Sequence, residues 1–143
     1  MTSTKMLQYN YWAKVKEEID NKYPEFRSRK PYAQNFYNLA LGSSLAEISL
    51  NINTQNSEIK SQIWIGNNKQ LFDYLYEFKD EIELELELEL NWKRLDNYKA
   101  SIIEIVKNID INNESNWDES IKWQLDIASK LYDAFSDRIK NFN

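Results

Sequence analysis

The segment from Trp117 to Phe142 constrains the fold most strongly. Its apolar residues recur at intervals of three and four over about seven turns, which is the spacing of one face of an α-helix. They are Trp117, Ile121, Leu125, Ala128, Tyr132, Phe135, Ile139 and Phe142. Asn116 or Ser115 is the expected N-cap of this helix. A helix with one long apolar face needs an apolar surface to cover.

Two neighbouring segments supply such a surface. Residues 46–53, "AEISLNIN", alternate between apolar and polar without exception, which is typical of a half-buried antiparallel strand. After the turn "TQNS", residues 58–66, "EIKSQIWIG", return as another strand. The alternation directs Ile59, Ile63 and Ile65 inward and Lys60, Gln62 and Trp64 outward. Residues 36–41 form a further strand that precedes these two.

The stretch "EIELELELEL", residues 81–90, alternates like a strand but consists of residues that favour helices. A helical spacing runs into it from Leu71, Leu75, Phe78, Ile82 and Leu86. Because glutamate is also disfavoured in strands, we predict a helix that breaks near Glu87. We expect its glutamates to form a solvated helix face rather than a site for a metal or a basic partner.

The remaining elements complete a predicted α+β fold. A first helix over residues 5–21 is ended by Pro24, and strands over residues 88–95 and 98–107 are joined by a tight turn. We therefore predict a single α+β domain over residues 1–143. Its antiparallel sheet has about five strands and three helices, in the order α-β-β-β-α-β-β-α.

Composition excludes many activities. The chain has no cysteine and no histidine, which excludes disulfides, thiolate nucleophiles, histidine-based triads and ordinary zinc sites. Only two glycines are present, so a glycine-rich phosphate loop is excluded and no cofactor is expected. No apolar run approaches the roughly 18 residues that span a bilayer, and the polar start "MTSTKMLQYN" lacks a signal-peptide core. We expect a cytoplasmic protein without a membrane partner.

The net charge of −5 is spread unevenly. Residues 77–90 hold seven acids and one lysine, so the rest of the chain has 16 acids and 17 bases. A local basic surface is therefore compatible with the acidic total.

The loop "FRSRKPY", residues 26–32, contains two of the four arginines. Arg27, Arg29 and Lys30 have the chemistry to bind a phosphate backbone, because arginine gives bidentate contacts. Tyr32 and Phe36 lie nearby in the chain, and an aromatic ring gives a stacking surface. The alternative is a solvent-exposed loop whose arginines pair with local acids.

Trp64 is predicted to lie on the polar side of the sheet beside Lys60. An outward tryptophan often marks a contact surface, so a homodimer or a protein partner is one interpretation. The other is that a helix covers it.

A nuclease site is a further alternative. Glu58 to Lys60 has the E-x-K form of restriction-type nucleases, with Glu47 earlier in the chain. Such enzymes hold Mg²⁺ on acidic groups and place a lysine near the attacked phosphate. This hypothesis requires Glu47, Glu58 and Lys60 to converge on one point of the sheet.

Several segments together resemble a prokaryotic family of domains of unknown function, family 4268. They are "FRSRKPYAQNFYNLALGSSLAEISLNIN", "LFDYLYEFKDEIE", "LNWKRLDNYKASI" and a closing "W…AFSDRIKNF". The likeness extends from about Tyr11 to Phe142. It implies a small free-standing protein or a module that follows a restriction-nuclease-like domain, in DNA-related or defence-related work, and it carries over no catalytic residues. The Glu-Leu run departs from the glycine-containing helix end of this family.

We therefore expect a non-catalytic binding module that contacts nucleic acid or a nuclease-like partner, with no catalytic residue and no metal site. The expected contact residues are Arg27, Arg29, Lys30, Tyr32, Lys60 and Trp64. One alternative is a dimerisation or protein-interaction domain that uses the sheet around Trp64 or the last helix. The other is a Mg²⁺-dependent nuclease with Glu47, Glu58 and Lys60.

Overall fold

The computed structural model describes residues 2–142, and within them it contains four α-helices, a short 3₁₀ turn and five strands. The helices are α1 (Ser3–Lys22), α2 (Lys69–Tyr76), α3 (Lys79–Leu86) and α4 (Trp117–Lys140). The strands are β1 (Phe36–Ala40), β2 (Ala46–Asn53), β3 (Glu58–Ile65), β4 (Asn91–Lys93) and β5 (Ser101–Asn108), and the 3₁₀ turn is Glu114–Asn116. The α+β class and the antiparallel sheet are confirmed. The helix count is corrected from three to four.

The five strands form one sheet in the order β1-β2-β3-β5-β4, and every neighbouring pair is antiparallel. Side chains alternate between the two faces, so Leu39, Ile48 and Ile63 line up across one of them. Helix α4 crosses β2 and β3 on this face, and α1, α2 and α3 pack on the same side. The buried apolar side chains form one continuous core between the helices and this face of the sheet.

The extra helix arises from a bend at Glu77 and Phe78. Their N–H groups bond to the carbonyls of Tyr74 and Leu75, three residues back, so the chain tightens for one turn. The α-helical pattern resumes where the Ile82 N–H bonds to the Phe78 carbonyl at 2.9 Å. The apolar stripe continues through the bend and neither proline nor glycine marks it. The sequence pattern is therefore that of one uninterrupted helix.

The predicted break near Glu87 is confirmed. Helix α3 ends at Leu86, and Glu87 has φ 57° in the left-handed region. The glutamates of the run are not all solvated, however. The Glu83 carboxylate accepts hydrogen bonds from the Leu90 N–H at 2.7 Å and the Trp92 indole N–H at 3.2 Å. Glu83 therefore fixes the chain that leaves the helix.

Strand β4 is shorter than the predicted strand over residues 88–95. Leu95 has φ 57°, which turns the chain out of extended conformation. The Lys69 ammonium group donates hydrogen bonds to the carbonyls of Leu95 at 2.9 Å and Ala100 at 2.8 Å, and also to that of Arg94. These bonds hold the connection between β4 and β5 as a loop, so β5 begins only at Ser101.

Candidate functional site

The sheet has a second face on which no helix within residues 2–142 packs. Strand register arranges its side chains in four rows, the last of which consists of Asn53, Glu58 and Asn108. The other three rows are Phe36, Asn51, Lys60 and Val106; then Asn38, Ser49, Gln62, Glu104 and Asn91; then Ala40, Glu47, Trp64, Ile102 and Lys93. We call this surface the open face. Lys60, Gln62 and Trp64 lie on it, as the alternation predicts.

The open face contains a hollow of about 390 Å³ between two aromatic side chains. Phe36 and Trp64 are 37% and 41% exposed. The hollow is lined by Phe36, Asn38, Ser49, Asn51, Gln62, Trp64 and Ile102. The exposure of Trp64 excludes the interpretation in which a helix covers it. An exposed aromatic pair on a sheet offers flat surfaces to a ligand.

Polar groups form the floor of this hollow. Ser49 and Gln62 are buried, and the Asn51 amide N–H donates to Ser49 Oγ at 3.2 Å. Asn38 Oδ1 is buried and has no hydrogen-bond partner among the described residues. A buried acceptor without a partner costs about 1–3 kcal/mol. A ligand that donates a hydrogen bond to Asn38 would remove this cost.

A buried carboxylate lies beside the hollow. Glu104 is only 3% exposed, and it lies across from Gln62 in the register. Its two oxygens are 3.5 Å from Lys60 Nζ and 3.0 Å from Lys93 Nζ. A buried carboxylate requires such cations, and two lysines around one acid leave this cluster with one excess positive charge.

The basic loop, residues 26–32, is fastened to the core at two points. The buried Phe26 ring packs edge-on against Tyr132 of α4 at a centroid distance of 5.7 Å. The Tyr37 hydroxyl donates to the Arg29 carbonyl and accepts from the Arg29 N–H, each at 2.6 Å. Burial raises the pKa of Tyr37, so the hydroxyl keeps the proton that it donates. The backbone of the loop is therefore held in place while its charged side chains project outward.

The side chains of the basic loop reach the open face through Arg29. Arg29 Nη2 is 3.5 Å from Glu47 Oε1, and Glu47 is directly opposite Trp64 in the register. Arg27 and Lys30 are exposed and form no ion pair within the described chain. Lys30 Nζ instead lies 5.9 Å from the centre of the Tyr32 ring. Intramolecular carboxylates thus engage one of the two guanidinium groups and leave the other accessible.

The basic loop and the open face together carry a positive formal charge. Their basic residues are Arg27, Arg29, Lys30, Lys60 and Lys93, and their acidic residues are Glu47, Glu58 and Glu104. This surface is therefore cationic in a chain whose net charge is −5. Such local excess charge attracts anionic ligands even when the whole molecule is acidic.

The residues of the nuclease hypothesis do not converge. Glu47 is opposite Trp64, whereas Glu58 is opposite Asn53, six residues further along β2. At about 3.3 Å per residue the two carboxylates are roughly 20 Å apart along the sheet. Lys60 pairs with Glu104. Within residues 2–142 no group of three or more acidic residues is placed to hold a metal ion.

Sequence reasoning named Phe36 beside the basic loop but missed other residues of the site, among them Asn38, Lys93 and Glu104. The alternation of residues 101–108, "SIIEIVKN", indicates from the sequence alone that Glu104 shares a face of the strand with Ile102. The pairing of β5 with β3 was not predictable from local pattern, and it is this pairing that brings Glu104 to Lys60.

The fold defines a small α+β domain whose helices cover one face of a five-stranded antiparallel sheet. The chain matches the family described as Domain of unknown function (DUF4268) over residues 7–139, and it belongs to that family. The resemblance inferred from the sequence is thereby confirmed. No curated protein and no solved structure matches the chain. The helices within residues 2–142 are too short or too polar to span a bilayer.

Proposed function

We propose that this chain is a non-catalytic binding module whose ligand is nucleic acid, and that it acts in the cytoplasm. The observation that carries the proposal is the position of Arg29, which reaches Glu47 beside Trp64 and so joins the basic loop to the open face. A phosphate backbone is bound by cationic groups, and an unstacked base is bound by an aromatic ring. Both kinds of group are adjacent on this surface.

The chemistry of the open face favours nucleic acid over self-association. The cores of permanent protein interfaces are rich in apolar groups and depleted of charge. The open face instead has Ser49, Gln62 and Asn38 at its centre and an ion-paired carboxylate, Glu104, beside them. Its cationic character also suits a polyanion. A dimer of this chain is the alternative that the experiments below would detect.

The first experiment removes charge from the basic loop. Fluorescence anisotropy measures the binding of labelled oligonucleotides of about 15 nucleotides, long enough for a site of 4–16 nucleotides. At roughly 50 mM salt we expect Arg27→Ala with Arg29→Ala to weaken binding at least about fivefold. Loss of two phosphate contacts should also reduce the slope of log K against log salt by about 1.4 for a single strand.

A matched control removes two charges from the helix side. Lys22 and Lys122 are exposed beside the cleft between α1 and α4, so Lys22→Ala with Lys122→Ala alters the net charge equally. This control should bind like the wild-type chain. Equal losses in both double variants, or no binding to any nucleic acid at low salt, would refute the proposal. A wild-type dimer in analytical ultracentrifugation that Trp64→Ala dissociates would assign the open face to self-association.

A further inference from the structure

We infer that the open face binds single-stranded nucleic acid, with one unpaired base in the hollow between Phe36 and Trp64. This inference rests on the proposed function and narrows its ligand to unpaired strands. Bases within a duplex are stacked and paired, so their flat surfaces are inaccessible to side chains. Bases of a single strand can instead lie flat on aromatic rings.

The dimensions of the sheet support an unpaired strand. Five strands about 4.8 Å apart span roughly 19 Å, whereas the major groove of B-DNA is only about 12 Å wide. The open face therefore cannot enter the groove of a duplex and read its base edges. The hollow of about 390 Å³ is instead in the lower range of volumes that hold small planar ligands.

The Trp64 ring lies close to the position of Gly66. A Cβ atom added to Gly66 would lie 3.5 Å from Cη2 and Cζ3 of the ring, so the ring extends back over the end of β3 towards this glycine. The side chain is nevertheless substantially exposed. A ring that lies against the chain and is open to solvent loses less conformational freedom when a base stacks on it than a freely projecting ring would.

The floor of the hollow predicts which bases bind best. Asn38 Oδ1 is a buried acceptor that lacks a donor among residues 2–142. Adenine and cytosine carry exocyclic amino groups that donate hydrogen bonds, whereas thymine presents a carbonyl oxygen in the corresponding position. The hollow should therefore prefer adenine or cytosine to thymine.

Cations are available at both ends of the hollow to hold the strand. Lys60 is in the same row as Phe36, and Arg29 reaches the row that contains Trp64. Lys60 is already oriented by Glu104. Phosphates on either side of a bound base would thus meet cations on both sides, which gives affinity without sequence information.

The test measures binding of oligo-dA, oligo-dC, oligo-dT and a duplex of matched length. Trp64→Ala should weaken single-strand binding about 5- to 100-fold, and Trp64→Phe should retain most of it, because both aromatic rings stack on bases. Tyr9→Ala is the matched control, since Tyr9 on α1 is 42% exposed against 41% for Trp64. Asn38→Ala should weaken binding of dA and dC more than binding of dT and so abolish the preference for dA and dC.

The outcomes separate this inference from the proposed function. If the arginine double variant weakens binding but Trp64→Ala does not, or if the duplex binds as tightly as single strands, nucleic-acid binding stands and the stacking site is refuted. If the wild-type chain binds neither these four probes nor any oligonucleotide of the first experiment, both are refuted. Equal affinities for the three homopolymers in wild type would refute the role of Asn38. Circular dichroism confirms that each variant is folded.

Discussion

Gln124 joins the helices to the sheet. Its Oε1 accepts a hydrogen bond from the Tyr11 hydroxyl at 2.6 Å, and its Nε2 donates to the carbonyls of Asn51 at 2.9 Å and Lys60 at 3.0 Å. Burial raises the pKa of Tyr11, so its hydroxyl stays protonated. Because Gln124 is fully buried, each of its polar atoms needs a partner. This network fixes α1, α4 and the strand pair that carries Lys60.

Removal of the Tyr11 hydroxyl should therefore destabilise the fold. Tyr11→Phe leaves a buried acceptor on Gln124, so we expect the free energy of unfolding to fall by about 1–3 kcal/mol. Urea denaturation followed by circular dichroism measures this change. The control is Tyr9→Phe, which removes an exposed hydroxyl on the same helix and should change stability by less than about 0.5 kcal/mol. Equal effects of the two changes would show that the buried hydrogen bond contributes nothing.

At the scale of elements, the end of α3 depends on two glutamates with different roles. Glu87 takes the left-handed conformation that ends the helix, a position at which glycine is favoured because it has no Cβ. Glu83 then accepts hydrogen bonds from Leu90 and Trp92, which direct the chain into β4. The alternating run thus contains both Glu87, at which α3 ends, and Glu83, whose hydrogen bonds fix the chain that leads into β4.

Glu87→Gly should stabilise the chain. A left-handed conformation costs a residue with a side chain about 1–2 kcal/mol, and the greater freedom of glycine in the unfolded chain offsets part of the gain. We expect a net increase of about 0.5 kcal/mol in the free energy of unfolding, measured by thermal and urea denaturation. Leu84→Gly, at an exposed position within α3, should instead cost about 1 kcal/mol. A destabilising Glu87→Gly would contradict the assigned backbone conformation.

The contribution of Glu83 should appear as a pH dependence of stability. Burial raises the pKa of Glu83, but hydrogen bonds from the Leu90 N–H, Lys79 and Trp92 outweigh it and hold the pKa below its usual range. A carboxyl whose pKa is lowered by folding stabilises the chain above its unfolded pKa of about 4.3, and this stabilisation is lost as the pH falls through the folded value.

Glu83→Gln removes the titrating group. The free energy of unfolding of the wild-type chain should therefore decline more steeply below about pH 5 than that of the variant, and the two curves should converge in acid. Urea denaturation between pH 7 and about pH 3 provides the measurement. Parallel curves throughout this range would exclude a folded-state shift at Glu83.

At the scale of the whole molecule, local pattern predicted the elements better than their assembly. The alternation of residues 46–53 and the stripe along α4 fix element type because burial on one face imposes a period of two or 3.6. The bend at Glu77 and Phe78 was not predictable, because the stripe passes through it and the chain there contains no helix breaker. A local contact of Phe78 with Tyr74 and a tertiary contact with Arg138 accompany the bend.

The site was predictable only in part for a related reason. Trp64 and Lys60 could be placed on one face from the alternation of β3 alone. Phe36 and Glu104 join them only because β1 pairs with β2 and β5 pairs with β3, and such pairings depend on the register between distant segments. The link from Arg29 to Glu47 likewise depends on the path of a loop that local pattern leaves undefined.

The helices of the described chain all pack on one face of the sheet, and this placement has a consequence for tryptophan fluorescence. The chain has five tryptophans, and among those within the described residues Trp64 is exposed, Trp92 and Trp123 are partly buried, and Trp12 and Trp117 are buried. A collisional quencher dissolved in the solvent would extinguish its fluorescence before that of the buried indoles of Trp12 and Trp117. Trp64 is therefore an intrinsic fluorescent probe of the open face. Binding of a ligand to that face can be followed without an attached dye.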